Sequence, residues 1–103
     1  MGYGFLEKVY ENALRTTLEN GGWQVEQQLP VTVLFEGVAV GEYFADLAVA
    51  RKVIVEVKVA RELAPAHDSQ LLNYLKATDY QVGLLLNFGP TPEFRRKVFT
   101  GSG

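Results

Sequence analysis

Cysteine is absent from the 103 residues, and histidine occurs once. This excludes disulfides, thiolate metal centres and cysteine nucleophiles, and it leaves a zinc site without its usual ligands. An excess of either charge is also missing, since ten basic and twelve acidic side chains leave a net charge of −2. Binders of nucleic acid without sequence preference are usually strongly basic, and this chain is not. A carboxylate-lined metal site would contribute negative charge that its ion neutralises, so nucleic acid is not excluded. No apolar run approaches the about 20 residues of a membrane span. The start lacks a basic region followed by an apolar one, so no signal peptide is expected and the cytoplasm is the default compartment. Hydrophobic residues make up 48% and charged residues 21%, an ordinary globular balance that suffices for one core. Residues 1–100 are expected to form a single domain, with 101–103 a frayed tail or remnant.

The most informative stretch runs from Asp46 to Lys58. It reads as a strand, a tight turn at Ala50-Arg51-Lys52, and a second strand from Val53 to Val59. Val53, Val55, Val57 and Val59 fall on one face; Ile54, Glu56 and Lys58 fall on the other. A three-residue loop pairs Val49 with Val53 and puts Asp46 directly opposite Glu56 on the same face. A two-residue loop would separate the carboxylates, because a one-residue slip flips every side chain. The apolar pattern favours the first register, with Tyr43, Ala45, Leu47 and Val49 sharing the face of the odd-numbered valines. Two close carboxylates repel unless a cation lies between them. Hard oxygens at that spacing suit Mg²⁺, Mn²⁺ or Ca²⁺. The competing explanation is a solvated face with Glu56 and Lys58 in water, which charges on a two-stranded ribbon commonly mean.

Around this centre the chain reads as follows. After a Gly-rich lead at Met1–Gly4, residues 5–20 have helical periodicity, with Leu6, Val9, Ala13 and Thr17 beside Tyr10, Leu14 and Leu18 as an apolar stripe. Gly21-Gly22 ends the helix. Glu7 reads most simply as a first-turn acid complementing the helix dipole. Trp23 to Phe35 reads as a strand, and Pro30 suggests an edge, bend or bulge. Val38 to Val49 follows, with a bulge expected near Gly41. Pro65 opens a helix to about Thr78, with Leu71, Leu72 and Leu75 towards the core. Gln70 and Tyr74 lie four apart and share a face; His67, one turn earlier, reads as a helix-start residue with a satisfied hydrogen bond. Gln81 to Phe88 is a continuous apolar run typical of a strand buried on both faces. Pro92 to Phe99 is basic and is either a last strand or a helical turn. The order αβββαβ implies an α/β (α+β) fold, a mixed central sheet flanked by helices.

These motifs in this order resemble the GxxExxY family within the PD-(D/E)xK nuclease superfamily. The matching residues are Gly4-Phe5-Leu6-Glu7-Lys8-Val9-Tyr10, ENAL at 11–14, FADL at 44–47, VIVEVK at 53–58, His67, QLLNYLKAT at 70–78 and VGLLLNF at 82–88. The resemblance implies a restriction-endonuclease-like core. It implies that Asp46 is the metal-binding Asp, and that Glu56 and Lys58 form the (D/E)xK pair. Val57 would offer a backbone carbonyl, and Glu7 would orient metal-bound water or complete the site. Gln70 and Tyr74 match a QxxxY motif that borders the phosphate and helps position the Lys. The implied cofactor is Mg²⁺ or Mn²⁺, and the implied substrate is DNA ahead of RNA. Arg61, His67, Arg95, Arg96 and Lys97 are the candidate nucleic-acid contacts. Relatives usually carry a helix ahead of the Gly-x-x-Glu motif; its loss would expose apolar surface and invite a homodimer. A binding module that keeps the fold without turnover is the alternative, since a fold does not prove an activity.

Overall fold

Strand pairing is set by a turn of two left-handed residues. Ala50 and Arg51 take φ of 54° and 56°, and the Lys52 amide donates to the Val49 carbonyl at 3.0 Å. The left-handed pair closes the turn from Val49 to Lys52, and Lys52 is the extra residue that makes the loop three residues long. The resulting register pairs Val49 with Val53, Ala48 with Ile54 and Leu47 with Val55, as the three-residue loop requires.

The computed structural model describes residues 3–101. Met1–Gly2 of the expected lead and Ser102–Gly103 of the expected tail lie outside the described residues. The elements are α1 (Tyr3–Asn20), β1 (Val25–Phe35), β2 (Val38–Val49), β3 (Val53–Lys58), α2 (Pro65–Lys76), β4 (Val82–Asn87) and β5 (Glu93–Val98). The strands form one sheet in the order β1-β2-β3-β4-β5. Only β3 and β4 run parallel, joined by the crossover through α2. The segment left open between strand and helical turn is a strand, β5, antiparallel to β4. The fold is a mixed five-stranded sheet with a helix on each face, an α+β arrangement.

The two helices use the sheet differently. α2 packs Leu71, Tyr74 and Leu75 against Ile54, Leu85, Val31 and Ala45, all buried. Gly83 permits this approach, since a Cβ there would lie 2.7 Å from Leu71 Cδ1. Each large side chain buried in this way contributes about 1.5–3 kcal/mol. α1 lies on the other face, where Leu14 and Leu18 line an apolar groove with Val53, Val55, Leu84 and Leu86. It turns Glu7, Glu11, Leu14 and Leu18 inward and leaves Phe5, Leu6, Val9 and Ala13 exposed. Of the expected apolar stripe, Leu14 and Leu18 face the sheet, while Leu6, Val9, Ala13 and Thr17 stay exposed. The helix is rotated so that its acids meet the sheet.

A second correction concerns β2. Tyr43 and Ala45 do not share a face with Leu47 and Val49. Ala45 belongs to the core under α2, and the Tyr43 ring lies 6.2 Å from that of Tyr74. Val49 instead lines the α1-side groove. The alternation breaks where Gln28 takes a φ of 57° and the pairing skips from Gln27–Leu47 to Leu29–Ala45. One residue per strand, Gln28 and Asp46, is thus taken out of the pleat, and both strands change sides there. Beyond this point β1 and β2 run on as a hairpin past the end of β3. Its register shifts between Val33 and Leu34, leaving Val40 as the extra residue beside Gly41. Pro30 sits in β1, a free edge strand where its missing N–H costs little.

Candidate active site

The site is where β2 and β3 part. Their ladder ends at Leu47–Val55. One step further, the Asp46 amide donates to Glu56 Oε2 at 2.6 Å. The Val57 amide donates to Asp46 Oδ2 at 2.8 Å. Two carboxylates thus stand in for the strand carbonyls that the diverging ladder no longer supplies. This explains locally why a strand of Val and Ile contains an acid at Glu56. Buried amides need partners, and each side chain here caps the other strand's backbone. The solvated-face explanation fails for Glu56, which is 4% exposed; Lys58 is half-buried.

Electrostatics separate these acids from ordinary surface carboxylates. Burial, then the neighbouring Asp46 carboxylate, push Glu56 up to about 8. Burial also raises Asp46, helped by the negative charges of Glu11 and Glu7 and opposed by the Val57 amide and Lys58. Tyr74 lies on the other side of the pair. Burial and the fields of Glu56 and Asp46 push its phenol up to about 12, so it stays a hydrogen-bond donor at neutral pH. Among the described residues, each carboxylate binds backbone through one oxygen, Oδ2 or Oε2, and its other oxygen accepts no protein hydrogen bond. Two dehydrated carboxylates with a hard oxygen apiece to spare, facing one ammonium, fit a divalent cation of the Mg²⁺ or Mn²⁺ kind. Among the described residues, no third acid or histidine joins them in a cluster.

Glu7 is held one step away. Its Oε2 accepts from the Val59 amide at 3.4 Å, at the end of β3. One turn on, Tyr10 stacks on Phe88 with ring centroids 4.7 Å apart. The Gly-x-x-Glu-x-x-Tyr spacing is thus a docking device. It fixes the start of α1 to the carboxyl ends of β3 and β4. Glu11, next to Tyr10 and one turn from Glu7, is 3% exposed. It accepts from Lys8 (3.1 Å) and from the amides of Gln27 and Gln28. Burial works to raise its pKa, but these donors outweigh it and hold the carboxylate below its ordinary range. The available signal was the four-residue spacing from Glu7, which places both acids on one helix face. Asn87 was also missed. Its Oδ1 accepts from the amides of Ala60 and Gly89 and its Nδ2 donates to the Ala60 carbonyl, fixing the backbone just after Lys58. Gly89 allows that closeness, since a Cβ there would stand 1.9 Å from the Ala60 oxygen.

The remaining sequence candidates divide. Gln70 and Tyr74 share a cavity with Tyr43, and Tyr74 lies near enough to Glu56 and Asp46 to feel their charge. His67 Nδ1 accepts from the Ala64 amide at 3.0 Å and so caps the start of α2. Arg95 and Lys97 both pair with Asp68, and Arg95 also donates to the Leu63 carbonyl. They clamp the start of α2 to β5. Arg96, between them, faces away and is exposed, as is Arg61. The five basic candidates therefore do not converge on one patch.

The mixed five-stranded sheet with a helix on each face is a restriction-endonuclease-like fold. A family model described as the PD-(D/E)XK nuclease superfamily matches residues 1–97, and the chain belongs to that superfamily. Its nucleases typically depend on a divalent metal. The chain is similar to the crystal structure of SSO0001, with a TM-score of 0.70 and 18% identity over 99% of this chain. It is also similar to an alkaline exonuclease (LHK-Exo) from Laribacter hongkongensis, with a TM-score of 0.64 and 12% identity over 88% of this chain. In both cases the match spans 55% of the other chain. These likenesses establish the fold. No curated protein matches the chain. No helix among the described residues is long and apolar enough to cross a membrane.

Proposed function

We propose that this domain hydrolyses phosphodiester bonds of DNA with a divalent metal held by Asp46 and Glu56. The observation that carries the reading is the reciprocal capping of the two acids at the parting of β2 and β3. It concentrates a buried and a half-buried carboxylate, each with a free oxygen, beside Lys58. Asp46, Glu56 and the Val57 carbonyl would hold Mg²⁺ or Mn²⁺. Such an ion, when bound, polarises the phosphoryl group and lowers the pKa of its water. Lys58 supplies a positive charge where the pentavalent phosphate builds negative charge. Tyr74, kept protonated, donates to a phosphate oxygen, and Gln70 holds the strand beside it. Glu7 and Glu11 form an outer acidic wall, Glu7 orienting water from the end of β3. The motif at Gly4–Tyr10 supports placing the chain with the GxxExxY proteins.

Cleavage of plasmid and oligonucleotide DNA with Mn²⁺ tests this. Asp46→Ala and Lys58→Ala are each expected to lower the rate by about a hundredfold or more, the scale of losing one transition-state charge contact. Cleavage that survives EDTA, or that Asp46→Ala leaves intact, contradicts the reading.

A second reading, a non-cleaving dimeric interaction module, is favoured by one feature. Phe5, Val9, Trp23 and Phe94 are 54%, 47%, 56% and 71% exposed, and Trp23 borders an apolar groove of about 540 Å³ that α1 leaves open. Exposed apolar surface of this kind marks association sites. Light scattering at rising concentration distinguishes a dimer from a monomer, and a monomer with metal-dependent cleavage removes this reading.

A further inference from the structure

The change of sides at Asp46 has an effect beyond the acid pair. It turns Tyr43 into the space between α2 and the projecting β1–β2 hairpin. The two tyrosines there differ in one respect: Tyr74 is sunk, at 3% exposed, while Tyr43 stands open at 46%. Their rings are 6.2 Å apart and tilted by 44°, so Tyr43 carries the aromatic surface outward from the carboxylates. It opens into a cavity of about 390 Å³ with Gln70, Ser69, Asn73 and Val33 on its walls. A second cavity of about 400 Å³ continues it, sharing Val33 and Asn73 and ending at Lys76. The two form one trough along α2, aromatic at the acid pair and cationic at its far end.

We propose that this trough holds an unpaired strand of nucleic acid, with Tyr43 stacking on the base next to the scissile phosphate. The inference rests on the nucleic-acid reading above and names its substrate class as single-stranded. Charge supports stacking as the source of affinity. The chain is net negative, and Arg95 and Lys97 are both taken up by Asp68. Among the residues that line the trough Lys76 is the one cation, so binding there must come from surfaces that accept any base face. A duplex keeps its bases stacked on each other and cannot offer them to Tyr43. Asn73 and Gln70 serve the base edges and sugar, and Lys76 meets one phosphate.

The test is fluorescence anisotropy with a labelled dT12 strand and with a 12-base-pair duplex, on the full chain in EDTA so that no cleavage intervenes. Wild type is expected to bind dT12 more tightly than the duplex. Tyr43→Ala is expected to weaken dT12 by about tenfold or more, while Tyr43→Phe retains it, because the ring and not the hydroxyl does the stacking. Asn73→Asp, an exposed change that puts a carboxylate into the trough, is expected to weaken dT12 severalfold and keeps the test decisive if Tyr43→Ala fails to fold. Equal binding by wild type and these variants overturns the proposal. So does a Tyr43→Phe loss as large as the alanine loss, tighter duplex binding, or no dT12 binding at all. The nuclease reading is judged separately, by Mn²⁺-dependent cleavage in wild type and Asp46→Ala. Stacking without cleavage refutes only the latter, and cleavage indifferent to Tyr43 refutes only the former.

Discussion

The two helices start from similar material and end in different roles. Both carry apolar residues at helical spacing. α2 buries them in the core of the domain, with Leu71 fully buried and Leu75 at 1% exposure. α1 points two glutamates at the sheet and leaves Leu6 and Val9 38% and 47% exposed. The comparison teaches that an amphipathic stripe ranks the faces of a helix only by hydrophobicity. A helix that must bring Glu11 to the amides of Gln27 and Gln28, and Glu7 to the end of β3, is oriented by those polar partners. α2 builds the core, and α1 is docked through its acids.

Substitutions can break this contrast. Leu71→Ala removes a fully buried side chain from the α2 core and is expected to cost about 2–5 kcal/mol by denaturant unfolding. Val9→Ala on α1 is expected to change stability by no more than about 0.5 kcal/mol. Equal losses would mean that α1 is packed as tightly as α2.

The next effect lies at the acid pair and depends on pH. Glu56 holds its proton more tightly in the folded chain, at about 8, than its ordinary value of 4.5. Between these values the folded state binds more protons than the unfolded state, so stability falls as pH rises through that window. In EDTA the melting temperature should fall from pH 5 to pH 8. Glu56→Gln should flatten the profile and melt on the order of 5 °C above wild type at pH 8. Mn²⁺ should restore wild type at pH 8, and a flat wild-type profile in EDTA contradicts the buried-pair account.

Smaller losses sharpen the division within α1. Glu11→Ala strands the Gln28 amide and one of the two Gln27 donors and is expected to cost about 1–3 kcal/mol. Glu7→Ala gives up a single long hydrogen bond of 3.4 Å and is expected to cost about 1 kcal/mol or less, while lowering cleavage. The smallest effect should come from Val9→Lys, which leaves the melting temperature within about 2 °C because the side chain stands in solvent. Its readout is association: a dimer through α1 would dissociate.

Much of this was legible in the sequence because it depends on short-range rules. The three-residue loop pairs Val49 with Val53 and carries the ladder to Leu47–Val55, since register in a hairpin follows from loop length and alternation; Asp46 and Glu56 meet one step beyond it, each capping the other strand's backbone. The start of α2 at Pro65 and the strand β4 followed from equally local signals, although β4 is buried on the α2 face alone, with Leu84 and Leu86 half-buried in the groove beside α1. The side change at Gln28 and Asp46 was not legible. Gln28 takes a left-handed conformation without being glycine, so no residue type announces it. Tyr43 was consequently assigned to the wrong face and the trough beside α2 was hidden. Glu11 was missed for a related reason. Its burial depends on two glutamines about sixteen residues away, a tertiary contact that helical periodicity does not encode. Arg95 and Lys97 looked like free cations because their partner, Asp68, belongs to another element.

The most direct measurement is a calorimetric Mn²⁺ titration of wild type and Asp46→Ala near pH 7, repeated in buffers of different ionisation enthalpy. The account predicts binding to wild type that Asp46→Ala abolishes. It also predicts a heat that varies with the buffer, because the ion displaces the proton that Glu56 carries at that pH. No binding to wild type, or undiminished binding to Asp46→Ala, would contradict the claim that the opening between β2 and β3 is a metal site.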